Sequence, residues 1–219
     1  MRKIFGHRGL PHIYEENTFK SLNKAQEICD FVETDVRITK DEELVLYHDA
    51  EIQTQKIEEL SLSDINELID IEISEIHLVS REQIKGDTNF ELKISSKDDD
   101  LNKVFLEKII NLTNPEDIVS SFDWEIILNN RESFKSKYGI LIDKENQLFE
   151  SKAMSNLDEK LMFMVEKEIF YSRNFDLPLE RCVVWTVNDK GEINSVLNMN
   201  VYGVVTVSYT HLRAHETVH

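Results

Sequence analysis

Phe31-Val32-Glu33-Thr34-Asp35-Val36-Arg37-Ile38-Thr39-Lys40-Asp41-Glu42-Glu43-Leu44-Val45-Leu46-Tyr47-His48-Asp49 is the stretch that decides the fold of this 219-residue chain. From Asp30 to Ile38 it is rich in β-branched and aromatic residues, as a strand is. Lys40-Asp41-Glu42 reads as a tight turn, and Glu43 to His48 as a second strand returning alongside the first. Residues two apart in a strand share a face, so Glu33 and Asp35 point the same way.

Working outward, strand-like runs recur at Lys3 to His7, Asn89 to Ile94, Asp117 to Phe122, Tyr138 to Ile142, Phe163 to Glu166, Arg181 to Val187 and Gly203 to Val207. Helical periodicity marks Thr18 to Cys29, Leu62 to Ile69, Asp99 to Leu112, Trp124 to Phe134 and Lys190 to Asn198. With the hairpin strand from Glu43 to His48 set aside, eight parallel strands remain, which favours an α/β TIM (β/α)8 barrel. A doubly wound sheet is the alternative. It usually carries a Gly-rich phosphate loop after its first strand, and Gly6-His7-Arg8-Gly9 is not GxGxxG.

With 25 Lys plus Arg against 42 Asp plus Glu, the chain carries a formal charge of -17. That field repels polyanions, which argues against nucleic acid and stable membrane association as partners. An anionic small molecule then needs local positive charge, from a divalent cation or from placed cations such as Arg8 and Lys93. The N-terminus shows no signal-peptide pattern and no run reaches transmembrane length, so the expected location is cytoplasmic. Cys29 and Cys182 have neither CxxC spacing nor a nearby His and read as buried, reduced thiols.

In a barrel, polar groups at the C-terminal ends of strands converge on one mouth. His7-Arg8-Gly9, Glu33-x-Asp35, His48-Asp49 and Glu91-x-Lys93 all stand there. Glu33, Asp35 and Glu91 can together hold one hard cation, Mg²⁺ or Ca²⁺. His7 and His48 can face each other across a substrate as general acid and general base. Arg8 offers a fork of donors to phosphate oxygens and Lys93 a point charge.

The ordered set His7-Arg8-Gly9, Glu16-Asn17-Thr18, Glu33-x-Asp35-Val36, Thr39 to His48-Asp49, Glu91-Leu92-Lys93, Ser121-Phe122 and Trp185-Thr186-Val187-Asn188 resembles the motif string of the glycerophosphodiester phosphodiesterases, from about Ile4 to Thr206. The resemblance implies a TIM barrel of the phospholipase C-like type that hydrolyses glycerophosphodiesters, small-molecule substrates, to glycerol 3-phosphate and an alcohol. It implies His7 and His48 as the acid-base pair and Glu33, Asp35 and Glu91 as the metal ligands. Arg8 and Lys93 would bind phosphate and Trp185 would wall the glycerol side, with Glu16, Asn17 and Asp49 in support. It also implies a mechanism in which a neighbouring glycerol hydroxyl attacks phosphorus to give a cyclic phosphate that water opens. The absence of a nucleophile motif such as GxSxG is consistent with that.

Two departures from the family pattern look tolerable: Glu15 stands where Pro is usual, and Glu42 where Gly is usual. Glu42 is expected to take a positive φ at a cost of about 1 kcal/mol. The short interval between Asp49 and Asn89 predicts an open mouth with little cover. At the C-terminus, Val207 to Thr217 resembles the translation of a transposase sequencing adapter. The expected organisation is therefore one domain over residues 1–206, with 207–219 a non-native tail on a truncated gene and the last barrel helix missing.

Two other readings fit the same inventory. A sphingomyelinase D or lysophospholipase D relative shares the barrel, the histidines and the acids, but no secretion signal or basic amphipathic helix supports it. An inactive, truncated barrel that only binds a phosphorylated ligand would have no need of both His7 and His48. The sequence leaves the alcohol headgroup, the choice of cation and the oligomeric state open.

Overall fold

A computed structural model describes residues 2–72, of which 69–72 by their backbone only, and residues 76–208. Eight parallel strands are β1 (Lys3–His7), β2 (Phe31–Ile38), β3 (Asp87–Leu92), β4 (Ile118–Ser121), β5 (Lys137–Ile142), β6 (Leu161–Glu166), β7 (Cys182–Trp185) and β8 (Gly203–Thr206). Each pairs with its neighbour in order, and β1 pairs with both β2 and β8, closing the sheet into a barrel. The helices between them are α1 (Phe19–Gln26), α2 (Leu62–Glu72), α3 (Asp99–Leu112), α4 (Trp124–Asn129), α5 (Glu145–Met154), α6 (Lys167–Phe170) and α7 (Lys190–Asn198). The expected TIM barrel is the observed one. Described residues end at Ser208, so the reading of 207–219 as a tail, and of a closing helix as missing, falls almost wholly outside them.

Alternation divides the apolar residues into two layers. Phe5, Phe31, Ile118, Leu141, Met162, Met164, Val183 and Val205 fill the barrel, with Phe5 and Phe31 stacked at 4.6 Å. The other face of the same strands, with Val32, Val36, Phe90, Val184 and Val204, packs on helix residues such as Leu22, Phe105, Ile109 and Ile193. Helices begin where a short oxygen-bearing side chain caps free backbone N–H groups: Thr18 for α1, Asp98 for α3, Asp123 for α4 and Asp189 for α7. Asp123 and Asp189 follow closely on the ends of β4 and β7, which keeps those two turns short.

The hairpin read from the opening stretch forms, with Leu44–Leu46 antiparallel to β2 in the register Val36↔Leu46 and Ile38↔Leu44. Glu42 takes φ 65°, as its place in the turn requires. Beyond it the chain builds more than the sequence announces. A two-strand hairpin (Glu51–Ile52 with Gln55–Lys56), a 3-10 turn (Ile57–Glu59) and α2 enclose a separate small core of Val45, Ile52, Ile57, Leu60 and Ile65. Helix α5 is also additional to the sequence expectation, because its apolar residues do not share one face: Leu148 is buried while Phe149 is 80% exposed.

Candidate active site

Strand register brings the site together before any side chain is considered. His7 lies opposite Glu33 across β1 and β2, and Asp35 lies opposite Glu91 across β2 and β3. Side chains at these positions continue the inward face of Phe5 and Phe31 and so emerge at the mouth. Glu33, Asp35 and Glu91 are all buried, and one carboxylate oxygen from each lies within 4.8 Å of the others.

The turn after β1 is shaped to reach this cluster. Arg8 and Asn17 adopt φ of 54° and 55°, and Gly9 one of 88°. A Cβ on Gly9 would stand 2.4 Å from Ser21 Oγ, so only glycine lets the turn press against the start of α1. The Arg8 backbone N–H then donates to Glu33 Oε2 at 3.1 Å, while its guanidinium lies 3.0 Å from Asp35 Oδ2 and 2.9 Å from Glu16 Oε1. Asn17 fixes Asp35 from the other side. Its Nδ2 donates to Asp35 Oδ2 at 3.0 Å, and its Oδ1 accepts from the Asp35 backbone N–H and the Thr34 hydroxyl. Lys93 Nζ lies 3.1 Å from Asp35 Oδ1 and also contacts Glu91.

Two cations thus stand against three buried carboxylates, and the balance is uneven. Burial works to raise the pKa of Asp35, but Lys93, Arg8 and the Asn17 hydrogen bond overcome it and hold this group below the usual carboxylate range. Glu33 goes the other way: burial first, then the charges of Asp35 and Glu91, push it well above that range. Glu91 is raised as well, by burial, with Lys93 opposing. Glu33 Oε1 is buried and accepts no hydrogen bond among the described residues. A buried carboxylate oxygen left bare in this way costs free energy unless a cation faces it. Three hard oxygen donors with one uncompensated atom suit a divalent ion of the Mg²⁺ or Ca²⁺ kind.

His7 Nε2 lies 3.7 Å from Glu33 Oε2. Burial, with Arg8 beside it, pushes its pKa down to about 4, so the imidazole is neutral at neutral pH and free to accept a proton. His48 follows the short strand paired with β2, half-exposed, with Nδ1 2.8 Å from Asp49 Oδ1. The charge of His48 is felt at His7, Asp35 and Glu91, which puts it in the same cluster.

Beside the acids a narrow cleft of about 30 Å³ is lined by His7, Glu33, Asn89 and Glu91 together with Leu141, Met164, Trp185, Thr186 and Val205. Trp185 meets Phe122 edge to face at 5.9 Å, and Lys93 Nζ lies 5.8 Å from the Phe122 ring centre. The structure therefore brings together His7, Arg8, Asn17, Glu33, Asp35, Glu91, Lys93 and Trp185, with His48 on the rim. Glu16 and Asp49 sit outside, exposed, each touching one member.

Three residues at the mouth carry no role in the sequence reading. Phe122 follows β4 and stands beside Trp185. Asn89 lies one inward step below Glu91 and accepts from Ser120 Oγ at 3.0 Å. Arg37 is buried one inward step above Asp35, and only the alternation Glu33-x-Asp35-x-Arg37 could have signalled it.

A profile of the Glycerophosphoryl diester phosphodiesterase family matches residues 7–171. An uncharacterized protein of Mycoplasma genitalium is 28% identical over 231 residues, covering 90% of this chain and 91% of its own. Among solved structures, the glycerophosphodiester phosphodiesterase of Thermotoga maritima is 27% identical with a TM-score of 0.71, covering 95% of this chain and 96% of that one. A phosphodiesterase of Oleispira antarctica, solved with the product sn-glycerol-3-phosphate, has a TM-score of 0.73 at 15% identity, covering 95% and 94%. At that identity the likeness is one of fold.

Proposed function

The chain belongs to the glycerophosphoryl diester phosphodiesterase family and is a glycerophosphodiester phosphodiesterase, and from that premise we propose how it works. The substrate is a glycerophosphodiester, cleaved to glycerol 3-phosphate and an alcohol. One divalent cation, Mg²⁺ or Ca²⁺, is held by Glu33, Asp35 and Glu91. Residues 1–206 form the one catalytic domain, and the reaction runs in the cytoplasm; among the described residues no helix is long and apolar enough to cross a membrane.

The observation that carries this reading is the buried carboxylate triad with its bare oxygen, flanked by a neutral histidine. The bound cation supplies charge neutralisation at the phosphate. Arg8 and Lys93 add positive charge at the non-bridging oxygens, and Trp185 with Phe122 walls the glycerol moiety. A glycerol hydroxyl oxygen attacks phosphorus as the bond from phosphorus to the alcohol oxygen breaks. One of His7 and His48 takes the hydroxyl proton, and the other gives a proton to the departing alcohol. Water then opens the cyclic phosphate with the two histidines exchanging roles, so the protons balance over the cycle.

The test is release of glycerol 3-phosphate from glycerophosphocholine by the full chain, with and without EDTA. His7→Ala and His48→Ala are each expected to lower kcat by about 10²- to 10⁴-fold. Unchanged turnover in EDTA, or in either variant, contradicts the mechanism.

A further inference from the structure

We infer that Arg37, a residue outside the ligand, histidine and phosphate-binding sets, is a positioning residue that holds His48 in register with the cation-binding strands. This rests on the role of His48 given above. Arg37 continues the inward face of β2 beyond Glu33 and Asp35, and it is buried at 6% exposure. Its guanidinium spends its donors on the rim of the mouth: Nε and Nη2 donate to the backbone carbonyl of His48 at 3.0 and 2.6 Å, and Nη1 donates to the carbonyl of Lys93 at 3.2 Å and to Ser95 Oγ at 3.1 Å. Ser95 passes the contact on, donating to Glu58 Oε2 at 2.9 Å, in the turn before α2.

The arrangement has a specific consequence for His48. This residue follows Leu44–Leu46, a strand of three residues paired with β2, and among the described residues its imidazole is tied only to the neighbouring, exposed Asp49. In β2 and β3 the site residues sit inside the barrel sheet, whose parallel ladder sets their position. His48 lies past the end of its ladder. Two charge-assisted bonds from one planar group to its carbonyl fix both its distance and its orientation relative to Asp35, two residues before Arg37. Lysine has the charge but a single donor head, and it cannot span the carbonyls of His48 and Lys93 together. Misplacing a proton-transfer group by about 1 Å costs on the order of 10²-fold in rate.

A double-mutant cycle separates this role from simple support of the fold. Arg37→Met is expected to lower kcat for glycerophosphodiester cleavage by about 10- to 100-fold. On a His48→Ala background the same change is expected to cost less than about twofold, because the group it positions is already gone. Arg37→Lys, which keeps the stem and the charge if Arg37→Met fails to fold, is expected to lower kcat several-fold and likewise to be silent with His48→Ala. The inference is overturned if Arg37→Met or Arg37→Lys leaves kcat unchanged, or if either costs the same factor with and without His48. Full activity in His48→Ala alone overturns the underlying reading as well, so the two failures are told apart.

Discussion

At the N-terminal end of the barrel Asp117 is fully buried, yet every lone pair it directs inward is met. Oδ1 accepts from Arg81 Nη2 and the Thr88 backbone N–H at 3.0 Å each, and Oδ2 accepts from Arg81 Nε at 3.1 Å and the Asn114 N–H at 2.8 Å. Arg81 spends its remaining donors on the carbonyls of Ile84 and Gly86. At the C-terminal end three carboxylates crowd together, two of them pushed toward protonation, with Glu33 Oε1 bare. Both clusters are buried and charged, so burial alone does not separate structure from function. What separates them is completeness: a closed hydrogen-bond set serves the fold, and an open one waits for a ligand.

The largest expected effect breaks the open cluster without harming the fold. Glu33→Gln should lower kcat by about 10³-fold, equivalent to roughly 4 kcal/mol of barrier, while the thermal midpoint holds or rises. The sign follows from the charge balance: Glu33 is raised in the folded state, so its favourable contribution to stability is present at low pH and is lost as pH rises through its folded pKa. An amide at that position removes this pH dependence. Kinetics and thermal melts at several pH values on the ion-free protein check it; a large fall in midpoint with kcat retained would reverse the comparison.

Asp117→Ala probes the closed cluster and should do the opposite. Removing one partner of a buried, hydrogen-bonded pair costs about 3–5 kcal/mol of stability. Turnover per folded molecule should stay within about twofold of the unmodified chain, since no mouth residue touches Asp117. Chemical denaturation together with active-site-normalised rates reads both.

Next in size is the stabilisation by the cation itself, expected to reach about 2.7 kcal/mol at one hundred times its Kd. Because Glu33 and Glu91 bind protons more readily than ordinary carboxylates, the cation must displace protons as it enters. Apparent affinity should therefore fall as pH drops through their raised range, and the gain in thermal midpoint should shrink with it. A gain independent of pH would argue that the ion sits elsewhere.

The open cluster was more legible in the sequence than the closed one. Glu33-x-Asp35, Glu91-x-Lys93 and the two histidines are short patterns at strand ends, and alternation makes their facing readable. Asp117 and Arg81 form one unit only because β4 starts beside the segment that leads into β3, and no local pattern announces that. The same limit hid Arg37: beyond its place in the alternation, three of its four bonds go to backbone carbonyls, which leave no mark in the sequence. It also hid α5, because Leu148 and Phe149 give no single apolar face, and the excursion around Ile52 and Ile65, whose small core is assembled from pieces too short to show a period.

The smallest effect lies outside both clusters, at Glu42. Its φ of 65° is strain without a ligand, so Glu42→Gly should raise stability by up to about 1 kcal/mol and leave kcat alone. That separates conformational strain from the electrostatic incompleteness that marks the mouth.

The central claim is that the bare oxygen on Glu33 belongs to a cation site. Its most direct test is calorimetric titration of Mg²⁺ and Ca²⁺ into EDTA-stripped protein. The expected result is one site per chain, lost in Glu33→Gln and retained in Asp117→Asn; no binding to the unmodified chain, or binding undiminished in Glu33→Gln, would contradict it.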